Sequence, residues 1–255
     1  MSIVHAQSRF TSKLTSQCQN CSLSALCLPI ALADEDINRL DQIIERKRPL
    51  KKGEILFHQG QTFDSVFAVR TGTLKTFNIT SSGEEQITGF YCPSELVGLS
   101  GIDNDTYPIT AKALETTTVC EIPFSHLENL TAQIPSLRHQ LFRIMSRKIS
   151  EDQQMMVLLG KKNADEKVAS FLLNLSSRFK KRGYSAISFR LAMSRGEVGN
   201  YLGLAVETVS RVITRFQKNK LIEVDGKEIT ITDLAEMQKL VGIADDCARL
   251  ADLNK

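Results

Sequence analysis

The sequence has no apolar run approaching the ~18 residues that a membrane-spanning helix needs. Its opening stretch, MSIVHAQSRFTSK, lacks both a continuous hydrophobic region and a small-residue cleavage site. These absences predict a cytoplasmic protein. Histidine is scarce, with four residues at positions 5, 58, 126 and 139. No G-x-S-x-G, P-loop or H-E-x-x-H pattern occurs, so the spacings that build a nucleophile elbow, a phosphate cradle or a catalytic zinc site are missing. The expectation is a protein that is not an enzyme. Cysteine is also sparse, six of 255 residues. Inside a cell these thiols stay reduced and act as ligands, reactive groups or core filler rather than as disulfides.

What is present is an ordinary globular balance, 42% hydrophobic and 24% charged, which can bury a core and argues against disorder. The net charge of +3 conceals an asymmetry. Residues 161–231 hold 14 Lys and Arg against 7 Asp and Glu, whereas residues 1–160 hold 15 against 17 and residues 232–255 hold 3 against 5. Clustered basic charge is the footprint of a polyanionic partner, although a solvated basic face has the same composition.

The hydrophobic period divides the chain. Residues 34–47 space Ile37, Leu40 and Ile44 at helical intervals after an acidic start. From Pro49 to Phe124, EILFHQG, SVFAVRTG, TLKTFNIT, QITGFYC and TTVCEIPF read as short strands punctuated by Gly53, Gly60, Gly72, Gly83 and Gly89. They predict a small β-barrel or jelly roll. After Pro135 the period becomes helical, and residues 136–160 predict one helix about 37 Å long. Phe142, Met145, Ile149, Asp152, Met156 and Leu159 form a 3-4 seam suited to a homodimer. Leu137, Leu141 and Ile144 form a second stripe that can pack on the barrel. Both stripes can equally be intramolecular core. Gly160-Lys161-Lys162-Asn163 reads as a hinge.

The basic segment has its own pattern. Residues 164–182 predict a helix closed by Gly183, followed by a short strand (ISFRL) and two helices joined at Gly203-Leu204-Ala205. Ser194 and Glu197 form a capping box. LIEVDGKEITI reads as a hairpin turning at Asp225-Gly226. This is a winged helix-turn-helix, predicted to bind double-stranded DNA. On its second helix Glu207, Ser210 and Arg211 share a face, where Glu can accept from a cytosine amine and Arg can fork onto guanine. Thr208, Arg215 and Lys218 are placed to hold phosphates. The bland alternative is that Glu207 and Arg211 form only a surface ion pair.

Cys18, Cys21 and Cys27 are spaced C-x2-C-x5-C, a set that can converge on zinc or on an iron–sulfur centre, both of which usually want four ligands. Cys92, Cys120 and Cys247 can each supply the fourth. Alternation in TTVCEIPF puts Cys120 with Ile122, so Cys120 can also be a small core residue.

These stretches, together with GEEQITGFY, ALETTTVCEIPF, KKNADEKVASFLLNLSSRF, SRGEVGNYLGL and VETVSRVITRFQK, resemble the FNR (fumarate and nitrate reduction regulator) branch of the cyclic-AMP-receptor superfamily of bacterial transcription factors. The resemblance runs from Cys18 to Val241. It implies an α+β chain divided as a cysteine-rich cluster-binding segment (1–30), a β-roll sensor domain of double-stranded β-helix or jelly-roll type (31–135), a dimerisation helix (136–160), a winged helix-turn-helix domain (161–241) and a tail (242–255). It also implies that Cys18, Cys21, Cys27 and Cys120 ligate one [4Fe-4S] cluster per protomer. Molecular oxygen converts that cluster to [2Fe-2S] and then destroys it, and the dimer dissociates.

By the same resemblance, Glu207, Ser210 and Arg211 read TTGAT-type inverted repeats to activate or repress genes of anaerobic metabolism. Ile79, Thr80, Gly83 and Glu84, with Thr116, touch RNA polymerase. Branch members often carry an acidic residue where Asn20 stands. A cyclic-nucleotide ligand is disfavoured, because SELVGLSGIDNDTYPITAKALE contains no Arg and Tyr107-Pro108-Ile109-Thr110 occupies the Arg-Ser place. A zinc-stabilised DNA-binding protein is the main rival reading.

Overall fold

A computed structural model of the chain describes residues 18–81 and 83–242. Helix α1 (Asp34–Ile43) starts on Asp34, Glu35 and Asp36, which suit the positive end of the helix dipole. It ends four residues earlier than its period suggests. Ile44 turns extended, and Glu45–Arg46 forms a short strand, β1.

The barrel is built from β2 (Ile55–Phe57), β3 (Ser65–Thr71), β4 (Leu74–Ile79), β5 (Glu85–Tyr91), β6 (Leu96–Val97), β7 (Thr110–Ala113) and β8 (Thr118–Pro123). One antiparallel sheet has the order β1-β8-β3-β6 and the other β2-β7-β4-β5. Sequence alternation alone does not reveal β6 and β7, which are short and carry no clear period. Phe57, Val66, Leu74, Tyr107 and Ile122 fill the space between the sheets, each at most 1% exposed. The Tyr107 ring stacks on Phe57 at 3.9 Å, and its hydroxyl donates to Ser65 O at 2.7 Å. Gly72, at φ +78°, turns the chain from β3 in one sheet to β4 in the other, where a Cβ would lie 2.5 Å from Thr116 O.

Two helices follow. Helix α2 (Phe124–Gln133) lies in a stretch read as the end of the β-domain, and its start is hidden because Phe124 closes a strand-like run. Helix α3 (Pro135–Lys161) opens on a proline whose missing N–H costs nothing in the first turn. Leu137 and Leu141 are buried in the barrel core with Ile144 packed beside them. Each buried leucine contributes about 1.5–3 kcal/mol.

The C-terminal unit comprises α4 (Ala164–Lys181), β9 (Ser188–Arg190), α5 (Arg195–Leu202), α6 (Val206–Lys218), β10 (Ile222–Asp225), β11 (Glu228–Ile231) and α7 (Leu234–Leu240). Asn163 caps α4 and Ser194 caps α5, each in a reciprocal box with the Glu three residues on. The segment read as a hinge therefore ends in a firm cap. The wing is a three-stranded sheet in the order β10-β11-β9. Phe171, Leu172, Leu202, Val212, Phe216 and Met237 form its core, and Phe77, Ile87, Phe90 and Leu114 of the barrel join the same cluster. Among the described residues no helix is long and apolar enough to cross a membrane.

The turn between α5 and α6 depends on Gly199, where an added Cβ would lie 2.6 Å from Leu204 O. Backbone cannot yield cheaply there. Gly199→Ala is expected to destabilise the C-terminal unit by about 1–3 kcal/mol, read by calorimetry. An unchanged melting curve would contradict this packing.

Candidate metal centre and nucleic-acid interface

Three 3-10 turns, Cys18–Asn20, Ser24–Leu26 and Leu28–Ala31, carry the N-terminal cysteines, with Cys18 opening the first and Cys21 and Cys27 between them. The loop is closed by its own backbone. Cys21 N–H donates to Cys18 O at 3.2 Å, and Cys27 N–H to Leu23 O at 3.0 Å. Leu28, 1% exposed, pins it into the barrel core, and the turn it begins packs against α3. At the other end the Cys18 amide donates to Asp41 Oδ1 of α1 at 3.0 Å.

Cys120 arrives from β8, paired in register with Arg46 on one side and Ala68 on the other. Cys18, Cys21, Cys27 and Cys120 all line one cavity of about 40 Å³, together with Leu23, Leu28, Leu40, Ile44 and Ile122. Arg70 is the charged residue of that lining, which includes no carboxylate or histidine. The donor set is thus soft thiol in an apolar wall, which suits an iron–sulfur centre. Among the described residues, however, no three Cys, His, Asp or Glu are gathered closely enough to hold a metal ion. The cavity has room for only a few waters.

The remaining cysteines lie elsewhere. Cys92 is buried beside Glu95, whose Oε2 accepts its amide at 3.0 Å. Cys247 and His5 fall outside the described residues.

Burial pushes the Cys27 thiol up to about 12. Burial, aided by the Asp41 carboxylate, does the same at Cys18. Cys120 is raised by burial while Arg46 and Arg70 pull against it. The metal-free protein thus keeps these thiols neutral.

The helix seam is now resolved within one chain. Phe142, Ile149 and Met156 are 58%, 59% and 72% exposed and Leu159 39% exposed, so these four residues of the stripe are not intramolecular core. Met145 is half-buried against the barrel. Asp152 is exposed and accepts from Lys148 Nζ at 2.8 Å, and Lys148 lies over the Tyr91 ring.

On α6 the apolar side (Val209, Val212, Ile213, Phe216) is buried while Glu207, Arg211 and Lys218 face outward. The Arg211 guanidinium donates to Thr208 Oγ1 at 3.4 Å, and no ion pair with Glu207 forms among the described residues. Arg215 is engaged by Asp165 at the start of α4, with Nε to Oδ2 at 3.0 Å, so it links two helices while staying exposed at the surface.

Ile79, Thr80, Gly83 and Glu84 lie on the exposed β4–β5 hairpin, and Thr116 lies in the β7–β8 turn. Sequence reasoning missed the contacts that dock the C-terminal unit on this barrel. Asn200 Oδ1 accepts from Ile87 N–H at 2.6 Å, and Asn200 Nδ2 donates to Glu85 O at 2.7 Å. Glu95 is gripped by Arg178 and Arg182. Burial alone would push the Glu95 carboxyl up, but the two guanidinium groups hold it below the usual range.

Residues 47–133 match a family model for the cyclic nucleotide-binding domain and residues 166–240 one for the Crp-like helix-turn-helix domain. The transcriptional activator protein Anr of Pseudomonas aeruginosa is 65% identical over 88% of this chain and 92% of its own. FnrA of Stutzerimonas stutzeri is 64% identical over 90% and 94%. The fumarate and nitrate reduction regulatory protein of Vibrio cholerae is 51% identical over 89% and 91%. Among solved structures, FixK2 from Bradyrhizobium japonicum superposes with a TM-score of 0.72 at 27% identity, over 78% of this chain and 97% of that one.

A thiol with a raised pKa gives stability that is present below the ordinary thiol range and is lost as pH rises from ~8.5 toward 12. In metal-free protein Cys27 should therefore react with iodoacetamide at pH 8 roughly tenfold or more slowly than in denatured chain, read by mass spectrometry. Equal rates would contradict the buried site.

Proposed function

The chain belongs to the FNR branch of the CRP/FNR superfamily of transcription regulators, and from that premise we propose that it is an oxygen-responsive regulator carrying a [4Fe-4S] cluster on Cys18, Cys21, Cys27 and Cys120. The observation that carries this reading is that these four thiols, three from a terminal loop and one from β8, share one apolar cavity. When bound, the cluster supplies an oxygen-labile centre whose loss is the signal. The protein's own part is to bury the ligands, exclude water with leucines, and connect the loop to α3 through the Leu28–Ala31 turn.

The seam Phe142, Met145, Ile149, Asp152, Met156 and Leu159 is the proposed homodimer contact, supported by an apolar stripe left open on a single chain. Glu207 and Arg211, which face outward, and the half-buried Ser210 are the proposed base readers of a TTGAT-type half-site, with Thr208, Arg215 and Lys218 on phosphates. The hairpin around Ile79–Glu84, with Thr116, is the proposed RNA polymerase contact, serving activation or repression in the cytoplasm. Cyclic nucleotide has no part in this reading, since Glu95 is already engaged by arginines and Tyr107 fills the barrel interior.

The direct test is iron and acid-labile sulfide on anaerobically purified protein. The expected result is about four of each per protomer, lost within minutes of admitting air, and lower in Cys120→Ser. Stoichiometric zinc without sulfide would establish the rival structural-metal reading.

Asp152 is the proposed brake on dimerisation. Two carboxylates facing each other across the seam repel, although Lys148 offsets part of that charge. Asp152→Ala should dimerise under air by sedimentation, whereas Ile149→Ala should weaken the anaerobic dimer. An Asp152→Ala variant that stays monomeric in air would remove this role.

A further inference from the structure

Behind the cysteine cavity lies an ion pair that no motif announces. Arg46 occupies β1, a strand only two residues long, and stands directly opposite Cys120 in the antiparallel ladder. Directly opposed residues project their side chains from the same face of a sheet. The Arg46 Nη2 group donates to Asp41 Oδ1, the same oxygen that accepts the Cys18 amide at 3.0 Å. One carboxylate thus ties the arginine to the terminal loop, while the strand register ties it to β8. Arg46 Nε is also a buried side-chain polar atom without a hydrogen-bond partner among the described residues. A buried N–H left unpaired is costly, and such a group in a native fold calls for an explanation.

We propose that Arg46 is a positioning residue of the cysteine site, anchored by Asp41, that holds the Cys18 loop against the Cys120 strand and supplies the positive charge that four converging thiolates require. Thiolates gathered in an apolar cavity concentrate negative charge that water cannot screen. Arg70 on the cavity wall is one counter-charge and Arg46 is the second. An N–H aimed at a ligand sulfur also strengthens and tunes an iron–sulfur centre, and the unpaired Nε–H is available for that bond once the thiols converge. The inference rests on the iron–sulfur reading above.

The variants separate charge from shape. Arg46→Gln keeps an amide donor and most of the length but no charge, whereas Arg46→Lys keeps the charge and can still pair with Asp41. The readouts are iron and sulfide bound during anaerobic reconstitution, titrated with ferrous iron and sulfide, together with the midpoint potential of the reconstituted centre and the thermal midpoint of the metal-free protein.

For Arg46→Gln we expect apparent affinity to fall roughly tenfold, with a more negative potential because reduction loses a nearby positive charge. Arg46→Lys should recover most of both. Wild-type affinity and potential in Arg46→Gln would overturn the inference. Equal losses in both variants, with a lowered thermal midpoint of the metal-free protein, would also overturn it by showing a purely structural pair. If the wild-type protein itself binds no iron and sulfide, the underlying iron–sulfur reading fails instead, and that result is distinct from either of these.

Discussion

The packing of one turn, Leu28–Ala31, against the start of α3 is the contact on which the rest of the molecule depends. Leu28 lies in the same core as Leu137 and Leu141. On one side of this contact is the cysteine loop, and on the other is a 27-residue helix whose distal stripe is open. A helix is stiff over this length, so a shift of a few tenths of an ångström at its first turns changes the aim of its far end. Leu28, the residue after Cys27, begins the turn that packs against α3, so a change at the thiols has a short path to that helix.

The same economy is seen in the ion pairs. Asp41 serves the Cys18 amide and Arg46 with one oxygen. Glu95 is held by Arg178 of α4 and by Arg182, the residue that ends that helix, so it joins the barrel to the C-terminal unit. Asn200, on the first helix of the helix-turn-helix, bonds the backbone of β5. The helix-turn-helix is therefore fixed to its own barrel by polar contacts, and the Glu207 and Arg211 side of α6 stays exposed.

Much of this was legible from residues, for physical reasons. The capping box of Ser194 and Glu197, the Asp225-Gly226 turn and the glycine between α5 and α6 are local, and local chemistry survives into the fold. The two stripes of α3 were legible as stripes, but which one met the barrel became clear only from burial. A small barrel or jelly roll was legible as a class through its strand pattern, whereas β6, β7 and α2 were hidden by shortness or by a strand-like first residue. At the site, the C-x2-C-x5-C run announced itself. Cys120 did not, because alternation along β8 fits a core cysteine equally well. Its meeting with the terminal loop is a matter of strand register, as is the pairing of Arg46 with Cys120. The pairing of Arg215 with Asp165, fifty positions earlier, was likewise invisible to local spacing.

The central claim is that the cysteine cavity and α3 move together. Hydrogen exchange on the anaerobic protein before and after a pulse of air measures this directly. The account predicts that protection changes in residues 18–31 and in the first turns of α3, 135–144, with the same time course. A change confined to the cysteine loop, with α3 exchanging identically in both states, would contradict it.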